Sequence, residues 1–311
     1  MSEIPGSGRP RGAAGSPLAG RVAVVTGAAR GVGAALARRL SDAGMLVALI
    51  GREEATLRRA ADSLPGRSLC VETDVTDRDA LHRAAHEISG ALGPASVVVA
   101  NAGIATGGPF VHTPADLWQR VIDVNLTGSA NTARAFLPQL INTRGYFLQI
   151  ASTAAFGSSP LMSAYCASKA GVESFALALR GEVEPDGVGV GIAYLHWTGT
   201  DMITGADDHP VLRALRRNQP RFARKVHTTA EVSAWLASGI TRRARHIYAP
   251  PWLRWCQPLR PAFPALVSRL ARQELRRQPP SRLTAGVLGA GGRADFDTYR
   301  TATHPPPPER P

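Results

Sequence analysis

Lysine, cysteine and long apolar runs are scarce in this sequence of 311 residues. Lys169 and Lys225 are the only lysines among 36 basic residues, so a lysine is not simply the usual choice of cation in this chain. The three cysteines, Cys70, Cys166 and Cys256, are odd in number and lack the spacing of metal ligands. We therefore expect reduced thiols, with Cys166 as a packing residue, and no metal site.

No stretch reaches the roughly 18 to 20 uncharged apolar residues that a membrane-spanning helix needs. Residues 1–17 are rich in Gly, Pro, Ser and Arg and have no apolar core like that of a secretory signal. This composition predicts a disordered leader, and we expect the protein to be cytoplasmic.

The net charge of +12 is unevenly distributed. From Thr241 onward, thirteen arginines face four acidic residues, a surplus of nine that leaves about +3 for the first 240 residues. Because the basic residues lie mostly in a tail without a recognisable binding motif, we predict no nucleic-acid partner.

Short apolar runs alternate with amphipathic stretches along the chain. Runs that are apolar on both faces suit parallel strands covered by helices; they lie at residues 22–26, 45–50, 68–71, 96–100, 145–150 and 188–195. Strands separated by helices predict right-handed βαβ units and an α/β fold with one doubly wound parallel sheet. We assign residues 18–248 to this single domain.

A glycine-rich turn follows the first predicted strand and leads into an amphipathic helix. Glycines let the backbone approach a pyrophosphate closely, and the N-terminus of the helix offers it unpaired N–H groups. We therefore predict that the turn binds a dinucleotide cofactor through Gly27, Arg30, Gly31, Val32 and Gly33.

The second predicted strand ends in Arg52, not in the carboxylate that would hydrogen-bond a ribose 2′-hydroxyl. Arg30 and Arg52 together offer two guanidiniums, whose bidentate geometry suits a 2′-phosphate. NADP(H) is therefore the predicted cofactor, with NAD(H) as the alternative. Arg52 would also suit the start of a solvated helix, beside Glu53 and Glu54.

Polar and small residues follow the next strands, at the sheet edge where ligands bind in such folds. Asp74 could accept a hydrogen bond from an adenine amino group, or it could cap a helix. Asn101, Ala102 and Gly103 would allow close approach of the cofactor. Asn125 falls within a predicted helix, where its amide could hold a water for proton exchange.

Ser152, Tyr165 and Lys169 are the predicted catalytic residues, with Asn125 in support. Tyr165 and Lys169 are four residues apart, which stacks them on one face of a helix. A nearby ammonium should lower the tyrosine pKa from its usual value of about 10. Ser152 ends an apolar strand, where its hydroxyl could polarise a substrate oxygen. A half-buried tyrosine beside a solvated lysine is the structural alternative.

In these motifs the chain resembles the short-chain dehydrogenases/reductases over residues 19–247. The motifs stand in the family's order and spacing: the glycine turn, Asp74-Val75, Asn101 to Gly103, Asn125, Ser152 and Tyr165 to Lys169. The resemblance implies a Rossmann-like oxidoreductase domain that forms a homodimer or homotetramer.

The resemblance also implies roles for individual residues. Tyr165 would be the acid/base, Lys169 would bind the nicotinamide ribose, Ser152 would bind the substrate oxygen and Asn125 would support a water relay. Thr200 aligns with a family threonine near the nicotinamide carboxamide. The chain departs from the family just before it, where Leu195 and His196 replace Pro-Gly. We therefore expect a loop of different shape, with His196 as a packing group or a substrate contact.

Residues 203–227 are predicted to form a lid over the substrate. The candidates for its apolar lining suggest a hydrophobic alcohol or ketone as substrate; they are Phe156, Leu161, Met162, Trp197, Met202 and Phe222.

Residues 249–280 are predicted to be a basic, aromatic, partly helical extension, and residues 281–311 a disordered tail. Five prolines between Pro250 and Pro264 exclude a long regular helix before Ala265. Tryptophans and arginines alternate within residues 246–272, which suits peripheral contact with an anionic bilayer. The alternative is packing on the protein's own domain or on a neighbouring subunit.

Two functions thus compete. The first is an NADP(H)-dependent oxidoreductase that interconverts an alcohol and a carbonyl. The second is a catalytically silent nucleotide-sensing regulatory protein on the same fold, which would not need Ser152, Tyr165 and Lys169 together.

Overall fold

The computed structural model describes residues 16–208, 210–277 and 286–288. Its centre is a seven-stranded sheet in which every adjacent pair is parallel, in the order β3-β2-β1-β4-β6-β7-β8. The strands of this sheet are β1 (Val22–Thr26), β2 (Leu46–Gly51), β3 (Ser68–Glu72), β4 (Ala95–Ala100), β6 (Tyr146–Ser152), β7 (Gly189–Leu195) and β8 (His246–Ala249). Two short strands, β5 (Ala105–Gly107) and β9 (Gly286–Leu288), form a separate antiparallel pair.

Helices connect the strands and cover both faces of the sheet. They are α1 (Gly31–Asp42), α2 (Glu54–Asp62), α3 (Arg78–Leu92), α4 (Ala115–Ile122), α5 (Gly128–Asn142), α6 (Ser163–Val183), α7 (Asp201–Asp208), α8 (Pro210–Arg217), α9 (Thr229–Thr241) and α10 (Phe263–Arg277). The predicted α/β fold with a doubly wound parallel sheet is confirmed.

Neighbouring residues of the central strands point to opposite faces of the sheet, and both faces are buried. Val24 and Val98 belong to one apolar cluster, whereas Val25 and Val99 belong to the other. This burial on both faces is why the strands are continuous apolar runs without polar alternation. All six predicted strands are present, with ends shifted by at most two residues.

The order of the strands reverses between β1 and β4, which lie side by side with a register shift between Val22 and Ala23. From β1 the chain moves outward through β2 to β3, and then crosses back to β4. Loops after the two central strands therefore separate and leave a crevice at the carboxyl edge of the sheet. The glycine turn follows β1, and Asn101 follows β4, so both lie at this crevice.

The C-terminal extension packs on its own domain. A 3₁₀ helix spans Pro251–Ala262 and α10 continues from it. Pro264 lies in the first turn of α10, where a proline removes no helical hydrogen bond. Leu253, Ala271 and Glu274 are buried, so part of the extension packs against the rest of the domain. None of the described helices is both long and apolar enough to span a bilayer.

Residues 286–288 correct the prediction of a disordered tail. They form β9, which pairs with β5 from Ala105↔Leu288 to Gly107↔Gly286. Backbone hydrogen bonds and the burial of Leu288 order this short piece despite its glycine-rich composition. The rest of the predicted tail, and residues 1–15 of the predicted leader, lie outside the described residues.

Candidate active site

The glycine turn brings backbone to within contact distance of the loop after β4. Gly27 and Gly31 have φ of +63° and +58°, in the left-handed region that glycine adopts without strain. A Cβ on Gly33 would overlap the carbonyl oxygen of Gly27 and lie 2.6 Å from Asn101 Nδ2. The turn therefore requires glycine at these positions.

Asn101 braces this turn with its side chain. Its Nδ2 donates to the carbonyl oxygens of Thr26 (2.9 Å) and Gly27 (3.2 Å), while its own N–H donates to Thr26 Oγ1 (3.0 Å). The end of β4 and the start of the glycine turn thus form one rigid unit. Arg30, at the N-cap of α1, makes no side-chain hydrogen bond to the first turn of that helix. The amides of this turn are therefore not capped by a side chain, which fits a bound pyrophosphate.

One cleft of about 920 Å³ joins this turn to the end of β6 and to the C-terminal extension. Every residue predicted to bind the cofactor lines it. Thr200 lies against the glycine turn, with its Cγ2 3.4 Å from the position of a Cβ on Gly31. The bare glycine backbone and the uncapped helix fit a dinucleotide at this end of the cleft.

Charged side chains at the far end of the cleft pair with one another. Arg30 forms an ion pair with Glu53, and Arg52 Nη1 lies 3.9 Å from Asp74 Oδ2. Arg120 Nη2 donates to the same Asp74 oxygen at 2.6 Å. Arg30 and Arg52, the predicted phosphate ligands, are visible in the sequence as motif residues, whereas Arg120 lies 46 residues from Asp74 and has no such local signal.

Asp74 is held in its ionised form by these neighbours. Burial alone would raise the pKa of this carboxyl, but hydrogen bonds from the Thr76 backbone and from Arg120 outweigh it and lower the pKa. Thr76 donates to Asp74 Oδ1 from both its N–H (2.9 Å) and its hydroxyl (2.8 Å). Asp74 thus accepts hydrogen bonds from its own loop and from Arg120, and these bonds fix the conformation of the loop.

Ser152, Tyr165 and Lys169 meet at the carboxyl end of β6. Ser152 is the last residue of that strand, and its Oγ accepts from Ala154 N (3.1 Å) in a 3₁₀ turn at Thr153–Ala155. Lys169 Nζ donates to Ile150 O (3.1 Å) and lies 5.7 Å from the centroid of the Tyr165 ring. The four-residue spacing on α6 therefore brings the two side chains together.

The pKa of Tyr165 is raised, which corrects the expectation of a lowered value. Burial raises it to about 12, and the hydrogen bond with Ser152 only partly offsets this effect. Burial also lowers the pKa of Lys169 to about 8. The sequence indicates that the lysine is close to the tyrosine, but it does not show that Lys169 is buried and that Tyr165 is half-buried in the cleft.

Asn125 lies in a π-helical turn, Asp123–Thr127, between α4 and α5. Its Oδ1 accepts from Ile104 N (2.8 Å), and its Nδ2 donates to Ile104 O (3.0 Å) and to Ser168 Oγ (2.9 Å). Both N–H groups of the amide are thus engaged. Asn125 joins the loop after β4 to α6 at Ser168, one residue from Lys169, and its side chain has no N–H left for a water.

His196 is half-buried, lines the cleft and connects three segments. Its Nδ1 lies 3.0 Å from Thr153 Oγ1, and its Nε2 lies 2.6 Å from the carbonyl oxygen of Ala223. Because that carbonyl can only accept, Nε2 carries the proton and Nδ1 accepts from Thr153. Burial lowers the pKa of His196 to about 4. The loop that departs from the family thus connects the turn after Ser152 to the predicted lid.

The half of the cleft beyond Ser152 and Tyr165 is lined by apolar side chains. Of the six predicted lining residues, Phe156, Met162, Trp197, Met202 and Phe222 are in place. Leu161 instead packs against the cluster of Ala105, Ala206, Leu212 and Leu288.

The C-terminal extension also contributes to this lining, which the sequence alone does not indicate. Leu253, Trp252 and the apolar stripe of α10 line the cleft; the stripe is Phe263, Leu266, Val267 and Leu270. This i, i+3, i+4, i+7 spacing is visible in the sequence and predicts one apolar helix face. What the face covers depends on tertiary packing, which the spacing does not reveal.

The short chain dehydrogenase family profile matches residues 21–210. A short chain dehydrogenase of Pseudocercospora fijiensis is 32% identical over 69% of this chain and 74% of its own length. Meso-2,3-butanediol dehydrogenase of Serratia marcescens is 32% identical over 60% of this chain and 74% of its own. The probable oxidoreductase EphD of Mycobacterium tuberculosis is 36% identical over 59% of this chain, which spans only 31% of that longer protein.

Solved structures agree with these relatives. A short-chain type dehydrogenase/reductase from Mycobacterium marinum superimposes with a TM-score of 0.68 at 25% identity, covering 75% of this chain and 94% of its own. A metagenomic short-chain oxidoreductase in complex with NADP gives a TM-score of 0.55 at 33% identity, covering 57% and 82%. The chain therefore belongs to the short-chain dehydrogenase/reductase family of oxidoreductases.

Proposed function

We propose that this protein interconverts a hydrophobic ketone and its alcohol with NADP(H), using Tyr165 as the acid/base. The observation that carries the proposal is the meeting of Ser152, Tyr165 and Lys169 in the same cleft as the glycine turn. A regulatory nucleotide sensor would have no use for this group of side chains.

Each residue has a defined task in the proposed reaction. A bound nicotinamide supplies the hydride to the carbonyl carbon or accepts it from the alcohol carbon. Ser152 Oγ donates a hydrogen bond to the substrate oxygen, and Tyr165 delivers its hydroxyl proton to that oxygen in reduction and takes it back in oxidation. Lys169 holds a positive charge beside the phenol, and Asn125 fixes the loop opposite the catalytic helix.

The raised pKa of Tyr165 suits its role as the acid in carbonyl reduction near neutral pH. A phenol with a pKa of about 12 is protonated at pH 7 and is ready to act as an acid. The oxidation requires the phenolate, which burial disfavours.

The preference for NADP(H) rests on Arg30 and Arg52 at the adenosine end of the cleft. Their pairing with Glu53 and Asp74 weakens the net positive charge there. A 2′-phosphate carries enough charge to compete for these guanidiniums, because charge-assisted bidentate hydrogen bonds to phosphate are strong. A solved relative whose complex contains NADP supports the same choice.

The proposal of an apolar substrate rests on the composition of the cleft beyond the catalytic residues. Aromatic and aliphatic side chains from the lid and the extension surround this space, and the charged groups cluster at the cofactor end. Burying an alkyl chain there gains about 0.8 kcal/mol for each methylene group. A sugar phosphate would find no cation among these lining residues.

A panel of ketones and alcohols, followed by NADPH absorbance, tests the proposed reaction. The wild type should turn over at least one apolar member, and Tyr165→Phe should lower kcat by about 10²- to 10⁴-fold because it removes the transferable proton. The affinity for NADPH should be nearly unchanged, since the ring remains. Wild-type kcat in the variant would contradict the mechanism.

We also propose peripheral membrane contact through residues 246–272. Trp255 and Leu259 of this segment are 68% and 61% exposed, and Arg254 lies over the Trp255 ring at 4.7 Å. Exposed tryptophan and arginine together suit the headgroup region of an anionic bilayer.

Cosedimentation with anionic vesicles at low and high salt tests this contact. Wild-type protein should bind at low salt, and Trp255→Ser/Leu259→Ser should bind less. Phe110→Ser/Val111→Ser is the matched control, because these residues are 69% and 81% exposed outside the segment. Equal binding of the two double variants would contradict the proposal.

A homodimer or homotetramer is proposed from the family alone. Light scattering on the eluting peak of a size-exclusion column measures the mass directly. A mass of about 33 kDa, that of one chain, would contradict an oligomer.

A further inference from the structure

Glu173 of the catalytic helix α6 and Arg260 of the C-terminal extension form an ion pair. Arg260 Nη1 donates to Glu173 Oε1 at 2.5 Å, and Nη2 donates to Oε2 at 2.6 Å. This is the bidentate arrangement in which arginine binds a carboxylate most strongly. Glu173 is only 6% exposed, so its charge depends on Arg260 for compensation.

Other groups complete the surroundings of this pair. Tyr194 of β7 donates its hydroxyl to Glu173 Oε1 at 2.6 Å. Arg260 Nη2 also donates to the carbonyl oxygen of Ala155 (3.0 Å), and the guanidinium carbon lies 4.6 Å from the centroid of the Phe156 ring. Arg260 is thus fixed by polar and aromatic contacts at once.

The ion pair attaches the extension to the two elements that carry the catalytic residues. Glu173 lies one helical turn after Lys169 on α6. Ala155 ends the 3₁₀ turn that begins directly after Ser152. Arg260 therefore contacts α6 and the turn after Ser152, and it does not line the cleft itself.

Arg260 also lies three residues before α10, whose apolar face lines the substrate half of the cleft. The start of this helix rests on the segment after Ser152: a Cβ on Gly157 would come within 2.9 Å of Phe263 Cβ. At its other end, Glu274 accepts from Asn218 Nδ2 (3.1 Å), beyond the end of α8. The ion pair, together with the packing of Phe263 and Val267 against Gly157, therefore anchors the N-terminal end of α10.

We propose that the Glu173–Arg260 ion pair holds α10 in place as the outer wall of the substrate cleft, and that this wall selects substrates with a long apolar chain. Arg260 is then a positioning residue for substrate specificity. The selection rests on the proposed ketone reduction, whereas the positioning of α10 does not.

The test compares three full-length variants with the wild type. Glu173→Gln/Arg260→Met removes both charges, so no unpaired buried charge remains; the amide oxygen still accepts from Tyr194, and methionine still covers Phe156. Arg254→Met is the matched control, because it makes the same substitution at an exposed arginine of the same 3₁₀ helix. Arg260→Lys keeps the positive charge but loses the bidentate contact, so its effects should be smaller than those of the double variant.

The first readout is hydrogen–deuterium exchange of the α10 amides, which needs no turnover. In the double variant we expect exchange in α10 to be at least about tenfold faster than in wild type, while α6 stays protected. Exchange in α10 equal to that of wild type and of Arg254→Met would overturn the positioning role.

The second readout is KM for 2-decanone and for 2-butanone with NADPH. The double variant should raise KM for 2-decanone about tenfold, roughly the effect of losing contact with two methylene groups, and leave KM for 2-butanone within about twofold. Equal changes for both ketones would overturn the selection of long chains. A wild type that reduces neither ketone would instead count against the proposed reaction, and the exchange measurement would still decide the positioning role.

Discussion

The two walls of the cleft are built in different ways. The cofactor wall consists of residues that directly follow β1, β2, β3 and β4, so each contribution is a short, local motif. The substrate wall is assembled from Phe156, lining residues between Ile203 and Ala223, and α10, which are far apart in sequence and meet only through tertiary contacts. The cofactor wall therefore depends on backbone geometry, and the substrate wall on side-chain packing. Four substitutions test this contrast.

The largest effect is expected from Gly33→Ala in the cofactor wall. The added Cβ would overlap backbone atoms of Gly27, which have no flexible end that could move aside. We expect NADPH affinity to fall by about 100-fold or more, since the turn must shift away from its binding geometry. Isothermal titration measures this affinity.

Gly90→Ala is the control for Gly33→Ala. A Cβ on Gly90, within α3, meets no atom within 4 Å. It should leave NADPH affinity unchanged and stabilise the fold by about 0.5–1 kcal/mol. Tight NADPH binding by Gly33→Ala would show that the cofactor wall tolerates side chains and does not depend on backbone geometry.

The second effect is on the free energy of unfolding and comes from Lys169, which lies where the two walls meet. The pKa of Lys169 is about 8 in the folded protein, below the 10.5 of an exposed lysine. At pH 7 both states are protonated, so the folded state carries the cost of a buried charge. We expect Lys169→Met to raise the free energy of unfolding at pH 7 by on the order of 2 kcal/mol and to lower activity.

The pH dependence identifies the origin of this gain. Between pH 8 and 10.5 the unfolded wild type binds more protons than the folded state, so wild-type stability rises with pH in this window. This contribution should be missing in Lys169→Met. Urea unfolding of both proteins at pH 7 and pH 9.5 measures it, and parallel pH profiles would refute the role of burial.

The sequence predicts the cofactor wall better than the substrate wall, because local motifs are visible in the chain and long-range contacts are not. Residues of the cofactor wall belong to motifs whose backbone requirements are visible in the chain, and six strands follow from apolar runs. The strands β5, β8 and β9 have three, four and three residues, too few to show a pattern. The ion pairs Arg30–Glu53, Asp74–Arg120 and Glu173–Arg260 join residues 23, 46 and 87 positions apart, and no local signal connects such partners.

The third effect concerns the charged end of the cofactor wall. Arg52→Asp replaces a proposed phosphate ligand by a repelling charge, so the ratio of NADPH to NADH affinity should fall by about tenfold. Arg58→Asp is the control, because Arg58 lies on the exposed side of α2 and pairs with Glu54. Equal losses for both cofactors in Arg52→Asp would remove this arginine from the phosphate site.

The smallest effect is expected in the substrate wall, from His196→Phe. Phenylalanine keeps a ring beside Trp197 and Trp252 but loses the hydrogen bonds to Thr153 and to the carbonyl oxygen of Ala223. Residues 218–227 would then be held less tightly over the cleft. Each lost bond costs about 0.5–1.5 kcal/mol of stability, and only part of this cost reaches the substrate, so KM for an apolar ketone should rise about threefold, with NADPH affinity unchanged.

The pH profile distinguishes a histidine that only holds residues 218–227 in place from one that transfers a proton. With a pKa of about 4, His196 stays neutral from pH 5 to 9, so neither protein should show a change in KM near pH 6.5 that arises from this residue. His86→Phe, at an exposed position of α3, is the control and should change nothing. If His196→Phe lowered kcat by 10²-fold or more and left KM unchanged, His196 would be a proton-transfer group. A residue of the substrate wall would then take part in proton transfer, and the role of this wall would not be limited to side-chain packing.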